Sequence, residues 1–198
     1  MKYPNSNKTY QHTATKNTSR RGMSLENDIN QSCLYYLDEG LCNIHKKPTP
    51  VTIVNVDYPS RNKAKITEAY FKVPSTTDYN GIYKGKYIDF EAKETTCKTS
   101  FALANIHEHQ IKHLIDVQRH GAISFLIVRF IHNNETYLLD TMDLKYFLEN
   151  YDRKSIPLSF FKERGKLVKM KYNPRLDYIE VINNTYFGGN NHDEEKTK

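Results

Sequence analysis

Hydrophobic and polar residues alternate along one central stretch of the chain, Tyr87 to Lys93. The apolar positions are Ile88, Phe90 and Ala92, and the charged positions between them are Asp89, Glu91 and Lys93. Side chains of a strand point alternately to opposite faces, so this pattern predicts a half-buried strand with one charged face. Asn80-Gly81 and Lys84-Gly85-Lys86 supply turn residues ahead of it, which predicts a short ribbon leading into the strand.

Two segments have the three- and four-residue apolar spacing of helices. The first begins at Ser24, a suitable N-cap, and ends at Gly40. Its apolar stripe is Leu25, Ile29, Cys33, Tyr36 and Leu37. The second is predicted from a cap at Ser100 to about His120, with Gly121 as its stop. Its stripe is Leu103, Ile106, Gln110, Leu114 and Val117, so an amide lies in line with apolar residues.

The C-terminal half continues the mixture of strands and helices. An apolar strand over 123–131 turns at Asn133-Asn134 into a second strand over 136–139, which predicts a hairpin. A short helix follows from Thr141 or Asp143, and the basic stretch 153–171 is ambiguous. Pro174 suits the first turn of a last helix. The order of elements predicts an α/β fold with a central mixed sheet flanked by helices.

The segment from Leu41 to Lys72 has the composition of an exposed ribbon. Its β-branched residues favour strands, whereas Pro48 and Pro50 are poorly suited to a central strand. Its basic residues after His45 are Lys46, Lys47, Arg61, Lys63, Lys65 and Lys72, against only Asp57 and Glu68. A projection from the domain and an ordinary charged edge hairpin both fit this pattern.

Length and charge divide the chain of 198 residues into an arm, a single domain and a tail. The net charge of +6 is concentrated in residues 1–23, which carry five basic residues and no acidic one. This polar arm is either a solvated tail or a phosphate-binding segment. The domain is predicted over 24–187 and the polar tail over 188–198.

Compartment and redox state follow from what the sequence lacks. No apolar run is long enough for a transmembrane helix, and the N-terminal residues lack the apolar core of a secretory signal. Cys33, Cys42 and Cys97 are odd in number and have no C-x-x-C spacing, which favours free thiols in a reducing cytoplasm. We therefore expect a cytoplasmic protein without a membrane partner.

The charged strand face has the chemistry of a metal site. Asp78 precedes the strand by one short ribbon, which brings its carboxylate beside Glu91. Two carboxylates suit a hard divalent cation, and Lys93 can steady a phosphate or a water. Gln110 is either bonded to nearby backbone or adds an amide oxygen, and Glu26 either favours its helix terminus or reaches the site. Zinc on His107, His109 and His113 is disfavoured, because no H-E-x-x-H or cysteine companion is present.

Asp followed by Glu-x-Lys on an adjacent strand resembles the restriction-endonuclease-like nuclease superfamily. The wider text resembles the RecU family of Holliday junction resolvases over nearly the whole chain. The matching motifs are R-G-M-S-L-E (21–26), H-K-K-P-T-P-V-x-I-V-N-V (45–56), E-A-Y-F-K (68–72), S-T-T-D-Y-N-G-I-Y-K-G (75–85), Y-I-D-F-E-A-K-E-T (87–95), K-T-S-F (98–101) and Y-N-P-R-L-D-Y (172–178). Departures lie in the arm, at Cys97 and over 151–167.

The resemblance implies a restriction-endonuclease-like core with a protruding β-stalk over about 45–71, which enters the centre of a four-way junction. It also implies a homodimer that cuts by paired, symmetric nicks with Mg²⁺ as cofactor. The implied metal ligands are Thr76, Asp78, Glu91 and Gln110, and the catalytic residues are Asp78, Glu91 and Lys93. Asp89 shares the face of Glu91 and is a further candidate for orienting a water.

DNA binding is expected to depend on the structure of the DNA. Phosphate contacts position the protein, and the geometry of the branch selects the substrate. The candidate DNA-binding residues are Arg20, Arg21, Lys46, Lys47, Arg61, Lys63 and Lys65. A RecA-type recombinase and branch-migration machinery are the implied partners. Two other functions remain open at this point: a sequence-specific restriction-type endonuclease, and a non-catalytic DNA-architectural protein.

Overall fold

The computed structural model describes residues 24–60, 63–72 and 76–188. The helices are α1 (Leu25–Asp38), α2 (Glu108–Arg119), α3 (Thr141–Asn150), α4 (Leu158–Arg164) and α5 (Tyr178–Tyr186). The strands are β1 (Asn43–Lys46), β2 (Val51–Asp57), β3 (Lys65–Phe71), β4 (Tyr79–Tyr83), β5 (Lys86–Thr95), β6 (Ser100–Ala102), β7 (Ile123–Phe130), β8 (Glu135–Asp140), β9 (Ser155–Pro157) and β10 (Lys166–Leu167). Short 3₁₀ turns cover Leu103–Asn105 and Ile131–Asn133.

A six-stranded sheet in the order β1-β4-β5-β7-β8-β10 forms the centre of the molecule. The pairing of β5 with β7 is parallel and the other pairings are antiparallel, so the sheet is mixed, as predicted. A parallel pair needs a crossover connection, and α2 lies within it. The predicted hairpin is also confirmed: β7 turns into β8 through Asn134, whose φ of 54° is left-handed.

Helices cover both faces of this sheet. On one face, α1 and α5 pack their apolar residues against Ile88 and Phe90 of β5. On the other face, α3 and α4 pack against Leu126 and Val128 of β7. The central sheet flanked by helices confirms the predicted architecture. The prediction that the strand at 87–93 is half-buried was wrong, because Ile88, Asp89, Phe90 and Glu91 are all buried.

An aromatic stack fixes the register of the strands that carry the charged residues. Tyr79 stacks on Phe90 with ring centroids 4.9 Å apart, and Phe90 stacks on Phe125 at 4.8 Å. The three rings come from β4, β5 and β7, which are neighbours in the sheet. A slip of one residue would turn every side chain to the opposite face, so this stack also fixes where Glu91 points.

Strands β2 and β3 form a separate two-stranded sheet, which we call the ribbon (residues 51–71). None of its described residues is buried, so it contributes nothing to the core. Its ends are close together, since the Lys72 N–H donates to the Pro50 carbonyl at 3.0 Å. The predicted start at 45 is corrected: His45 and Lys46 belong to β1, at the edge of the main sheet.

The first predicted helix matches α1 closely. The Ser24 side chain caps it by accepting from the Asn27 N–H, and Gly40 follows its end with a φ of 66°. Leu25, Ile29, Cys33 and Tyr36 are buried. The fifth stripe residue, Leu37, is 50% exposed and lies outside the buried stripe.

Two predicted helix starts were wrong. Ser100 begins β6, which pairs with the distant β9, and α2 begins only at Glu108. Pro174 lies in the loop before α5, whose N-cap is Asp177. The ambiguous stretch 153–171 contains β9, α4 and β10.

All three cysteines are free, with Cys33 and Cys42 buried and Cys97 exposed. Among the described residues, no helix has both the length and the apolar character needed to cross a membrane.

Candidate active site

The pairing of β4 with β5 brings the two predicted carboxylates together. Tyr79 is the register partner of Phe90, so the residue before Tyr79 meets the residue after Phe90. The Asp78 N–H donates to Glu91 Oε2 at 3.1 Å. Asp78 thus stands in front of Glu91 although thirteen positions separate them along the chain.

Lys93 completes a charged triplet where β5 extends beyond the start of β4. Its Nζ lies 2.5 Å from Glu91 Oε1 and 3.9 Å from Asp78 Oδ2. The Glu91 side chain is fully buried, whereas those of Lys93 and Asp78 are 27% and 36% exposed. The site is therefore open on the side of Asp78 and Lys93, where a ligand can reach both.

Burial raises the pKa of Glu91 to about 7, and the negative charge of Asp78 acts in the same direction. The ammonium of Lys93 opposes both effects by hydrogen bonding and by its charge. A buried carboxylate with an acidic neighbour and a raised pKa marks a place where a cation would be stabilised.

The raised pKa predicts a pH-dependent stability in the absence of divalent cations. Between the ordinary pKa of Glu, 4.5, and about 7, folded Glu91 keeps a proton that the unfolded chain has lost. The free energy of unfolding therefore falls as pH rises through this window. Glu91→Gln should remove that fall, as measured by urea unfolding in EDTA at pH 5 and pH 8.

The matched control is Glu163→Gln, because the Glu163 side chain is 72% exposed and lies on α4. This variant should keep the parent's pH dependence. A parent and a Glu91→Gln variant with the same change between pH 5 and pH 8 would contradict the interpretation of the site.

The other two implied metal ligands, Thr76 and Gln110, come from different parts of the chain. Thr76 is half-buried and two residues before Asp78. Gln110 is 4% exposed, and its Oε1 accepts from the His107 N–H at 3.0 Å in a capping box at the start of α2. This bond is the backbone interaction expected of a buried amide, and ligation of a metal by Gln110 stays a prediction.

Asp89 is fully buried and bound by side chains from four parts of the chain. Its Oδ2 accepts from Lys47 Nζ at 2.9 Å and from the Tyr87 hydroxyl at 2.9 Å, and lies 3.1 Å from His113 Nε2. Its Oδ1 accepts from the Thr77 hydroxyl. The sequence placed Asp89 on the face of Glu91, but it gave no indication that Thr77, Lys47 and His113 contact Asp89. Those three have no shared spacing, and only the fold brings them together.

The candidate DNA-binding residues have varied surroundings. Lys63 and Lys65 are exposed on the ribbon and its loop, and Lys46 pairs with Glu26 at 2.6 Å. Lys47 is engaged by Asp89. Arg20, Arg21 and Arg61 lie outside the described residues. Glu26 therefore sits in the first turn of α1 beside a lysine.

The three histidines considered for zinc are divided between two environments. His107 and His109 stack on each other with centroids 5.3 Å apart, and His113 binds Asp89. In the described part of the chain, no three His, Cys, Asp or Glu side chains converge in a way that could hold a metal ion.

The donor set nevertheless fits a hard divalent cation. Asp78 and Glu91 offer carboxylate oxygens on one face, and hard cations take oxygen ligands. Mg²⁺ is commonly held by one or two carboxylates, with water and substrate phosphate completing its shell, so two carboxylates suffice. Burial and the charge of Asp78 raise the pKa of Glu91 to about 7, and a bound cation would favour its ionised form.

Comparison with known proteins identifies the family. The family model of RecU, "Recombination protein U", matches residues 20–184. The Holliday junction resolvase RecU of Geobacillus sp. (strain WCH70) is 56% identical over 86% of this chain and 87% of its own length. The proteins of the same name from Pediococcus pentosaceus and Oceanobacillus iheyensis are 54% and 52% identical, over 82% and 94% of this chain and 83% and 100% of their own lengths.

Among solved structures, Archaeoglobus fulgidus Hjc, a Holliday junction resolvase, has a TM-score of 0.43 and 13% identity, over 74% of this chain and 95% of that chain. A TM-score this low does not support a conclusion about this chain. The family match and the sequence relatives are sufficient: the chain belongs to the RecU family.

Proposed function

We propose that this chain is a Mg²⁺-dependent endonuclease that resolves four-way DNA junctions. The observation that carries the proposal is the triplet Asp78, Glu91 and Lys93. The Lys93 ammonium lies within 3.9 Å of both carboxylates, where β5 extends beyond the start of β4. The relatives reported above bear the name Holliday junction resolvase, which supports the choice of substrate.

Asp78 and Glu91 are the proposed ligands of Mg²⁺, joined by Thr76 and Gln110. When bound, Mg²⁺ supplies Lewis acidity, which lowers the pKa of a water and offsets charge on the phosphate. The carboxylates must be ionised for this role, and Lys93 keeps Glu91 closer to that state by opposing the rise in its pKa. Burial of Glu91 also limits the number of waters that compete for its oxygens.

Lys93 is the proposed stabiliser of the scissile phosphate. Its side chain is partly exposed, so the ammonium can contact DNA while remaining beside Glu91. As water attacks phosphorus, negative charge grows on the phosphoryl oxygens, and a fixed ammonium lowers the energy of that state. Cleavage of the bond from phosphorus to the 3′ oxygen leaves a 5′-phosphate and a 3′-hydroxyl.

The ribbon is the proposed junction-entering stalk. None of its described residues is buried and it carries the exposed Lys63 and Lys65, so it can contact phosphates without disturbing the core. A two-fold homodimer would place two such sites on symmetric strands, which suits paired nicks. A RecA-type recombinase and the branch-migration machinery are the proposed partners, and the nucleoid in the cytoplasm is the proposed location.

The experiment that tests this function uses one labelled four-way junction and one linear duplex of the same sequence, each with Mg²⁺ or with EDTA. We expect paired nicks in the junction with Mg²⁺ only. Equal cutting of the duplex at a defined sequence would indicate a restriction-type endonuclease. Binding without any Mg²⁺-dependent nick would indicate a DNA-architectural protein.

Deleting residues 1–21 should weaken junction binding and flatten its salt dependence. The segment carries five basic residues and no acidic one. Each lost phosphate contact lowers the slope of log K against log salt by about 0.9. The measurement is junction affinity in Ca²⁺ across a salt series, and an unchanged slope would exclude a role for the arm in DNA binding.

A further inference from the structure

We propose that Asp89 is a positioning residue that holds Asp78 in front of Glu91, acting through Thr77 and Lys47. The reaction that Asp78 serves rests on the proposed function, but the contacts themselves do not. Asp89 is two positions before Glu91 on the same face of β5, and Lys93 is two positions after Glu91.

Asp89 acts as an anchor, a single carboxylate to which several segments of the chain are bonded. A fully buried carboxylate is strongly destabilising unless opposite charges and hydrogen-bond donors compensate it. Here an ammonium, a phenol, an imidazole and a hydroxyl all point to it. The Lys47 side chain is only 18% exposed, so water screens this ion pair weakly. Four side chains, three of them from outside β5, are thereby bonded to one carboxylate.

Two of the residues bonded to Asp89, Thr77 and Lys47, hold the backbone of Asp78. Thr77 is its immediate neighbour, and its hydroxyl donates to Asp89 and accepts from Lys47 Nζ at 2.9 Å. The Lys47 N–H donates to the Asp78 carbonyl at 2.8 Å. The Asp78 N–H is already used by Glu91. The Asp78 N–H is therefore held by Glu91. The Asp78 carbonyl is held by Lys47, whose side chain is bonded to Asp89.

Asp78 has little other support from the fold. It precedes β4, which begins at Tyr79, so Asp78 is not itself part of a named strand. Its side chain is the most exposed of the triplet. Without the anchor, two bonds would have to place its carboxylate: the one from its N–H to Glu91 and the one from the Lys47 N–H to its carbonyl. Outer contacts that orient metal ligands are worth about 10- to 100-fold in metal affinity or activity.

The test uses Asp89→Asn and Thr77→Val, with Mn²⁺ binding measured by calorimetry and junction cleavage measured as kcat and KM. Both variants should weaken Mn²⁺ binding and lower kcat by about 10- to 100-fold. Junction affinity in Ca²⁺-free EDTA buffer and KM should stay within about twofold of the parent. Thr77→Ser keeps the hydroxyl and should restore both Mn²⁺ affinity and kcat.

Asp28→Asn is the matched control for the loss of a buried carboxylate. Asp28 is also fully buried and ion-paired, to Arg129 at 2.7 Å and to Arg175 at 3.2 Å, but it lies on α1 and contacts neither Asp78 nor Glu91. It should lower the melting temperature without changing Mn²⁺ affinity. If Asp89→Asn fails to fold, Thr77→Val decides the question, since it removes no charge.

The outcomes separate this proposal from the proposed function. Mn²⁺ binding that is lost in Glu91→Gln and weakened in Thr77→Val supports positioning even if the parent cuts no junction. Thr77→Val with the parent's Mn²⁺ affinity and kcat overturns it, whether or not junctions are resolved. A parent that binds no Mn²⁺ at Glu91 overturns it as well.

Discussion

Lys93→Ala is expected to bind four-way junctions with the affinity of the parent and to cut them about 10²- to 10³-fold more slowly. That loss is the usual effect of removing one group that stabilises charge in the transition state. The ammonium lies 2.5 Å from Glu91 and 3.9 Å from Asp78, so it is beside both proposed metal ligands, where we expect the scissile phosphate to bind. The measurement is single-turnover cleavage with saturating enzyme in Mg²⁺, together with junction affinity in Ca²⁺.

Lys86→Ala is the control for Lys93→Ala. Lys86 begins the same strand, and its Nζ reaches the Gly121 carbonyl at 3.5 Å, away from both carboxylates. It should cut at the parent's rate. Cleavage by Lys93→Ala at that rate would remove Lys93 from the mechanism and leave the two carboxylates as the whole site.

The second large effect is expected from excising the ribbon. Pro50 and Lys72 are hydrogen-bonded, so a short glycine linker can join them after deletion of 51–71. No described residue of the ribbon is buried, and the core should keep its melting temperature within a few degrees. Preference for a junction over a linear duplex should disappear, because the proposed junction-entering stalk is gone.

Charge and shape can be separated by a variant that keeps the ribbon but replaces Arg61, Lys63 and Lys65 with alanine. Loss of up to three phosphate contacts should lower the salt slope by up to about 2.7 while preserving junction preference. Both quantities come from competition binding in Ca²⁺ at several salt concentrations. An excised variant that retains the parent's preference would show that another surface recognises the junction.

Local pattern was sufficient to predict the charged triplet. Glu91 and Lys93 are two apart on an alternating strand, so they had to share a face, and the turn before the strand brought Asp78 back to Glu91. The capping of α1 by Ser24 was predictable for the same reason, because it depends on neighbours three positions away.

Elements that depend on distant partners were not predictable. Ser100 looked like a helix cap, but β6 pairs with β9 more than fifty residues later, and that pairing outweighs its local preference. The strand at 87–93 looked half-buried because its outer face is charged, and the packing of α2 over Asp89 is visible only in three dimensions. The contacts of Lys47 and Thr77 with Asp89 also arise from convergence of separate segments.

Strand β5 pairs with β7 from Ile88 to Thr95 but with β4 only from Lys86 to Phe90, which has a consequence for how activity is lost on warming. The amides of Ile88 to Phe90, which have strand partners on both sides, should exchange with deuterated solvent only when the whole domain opens. Asp78 lies outside the strands and should exchange through smaller, local openings. Heat inactivation should therefore begin by releasing one carboxylate from an otherwise intact sheet, and it should reverse on cooling until the sheet itself unfolds.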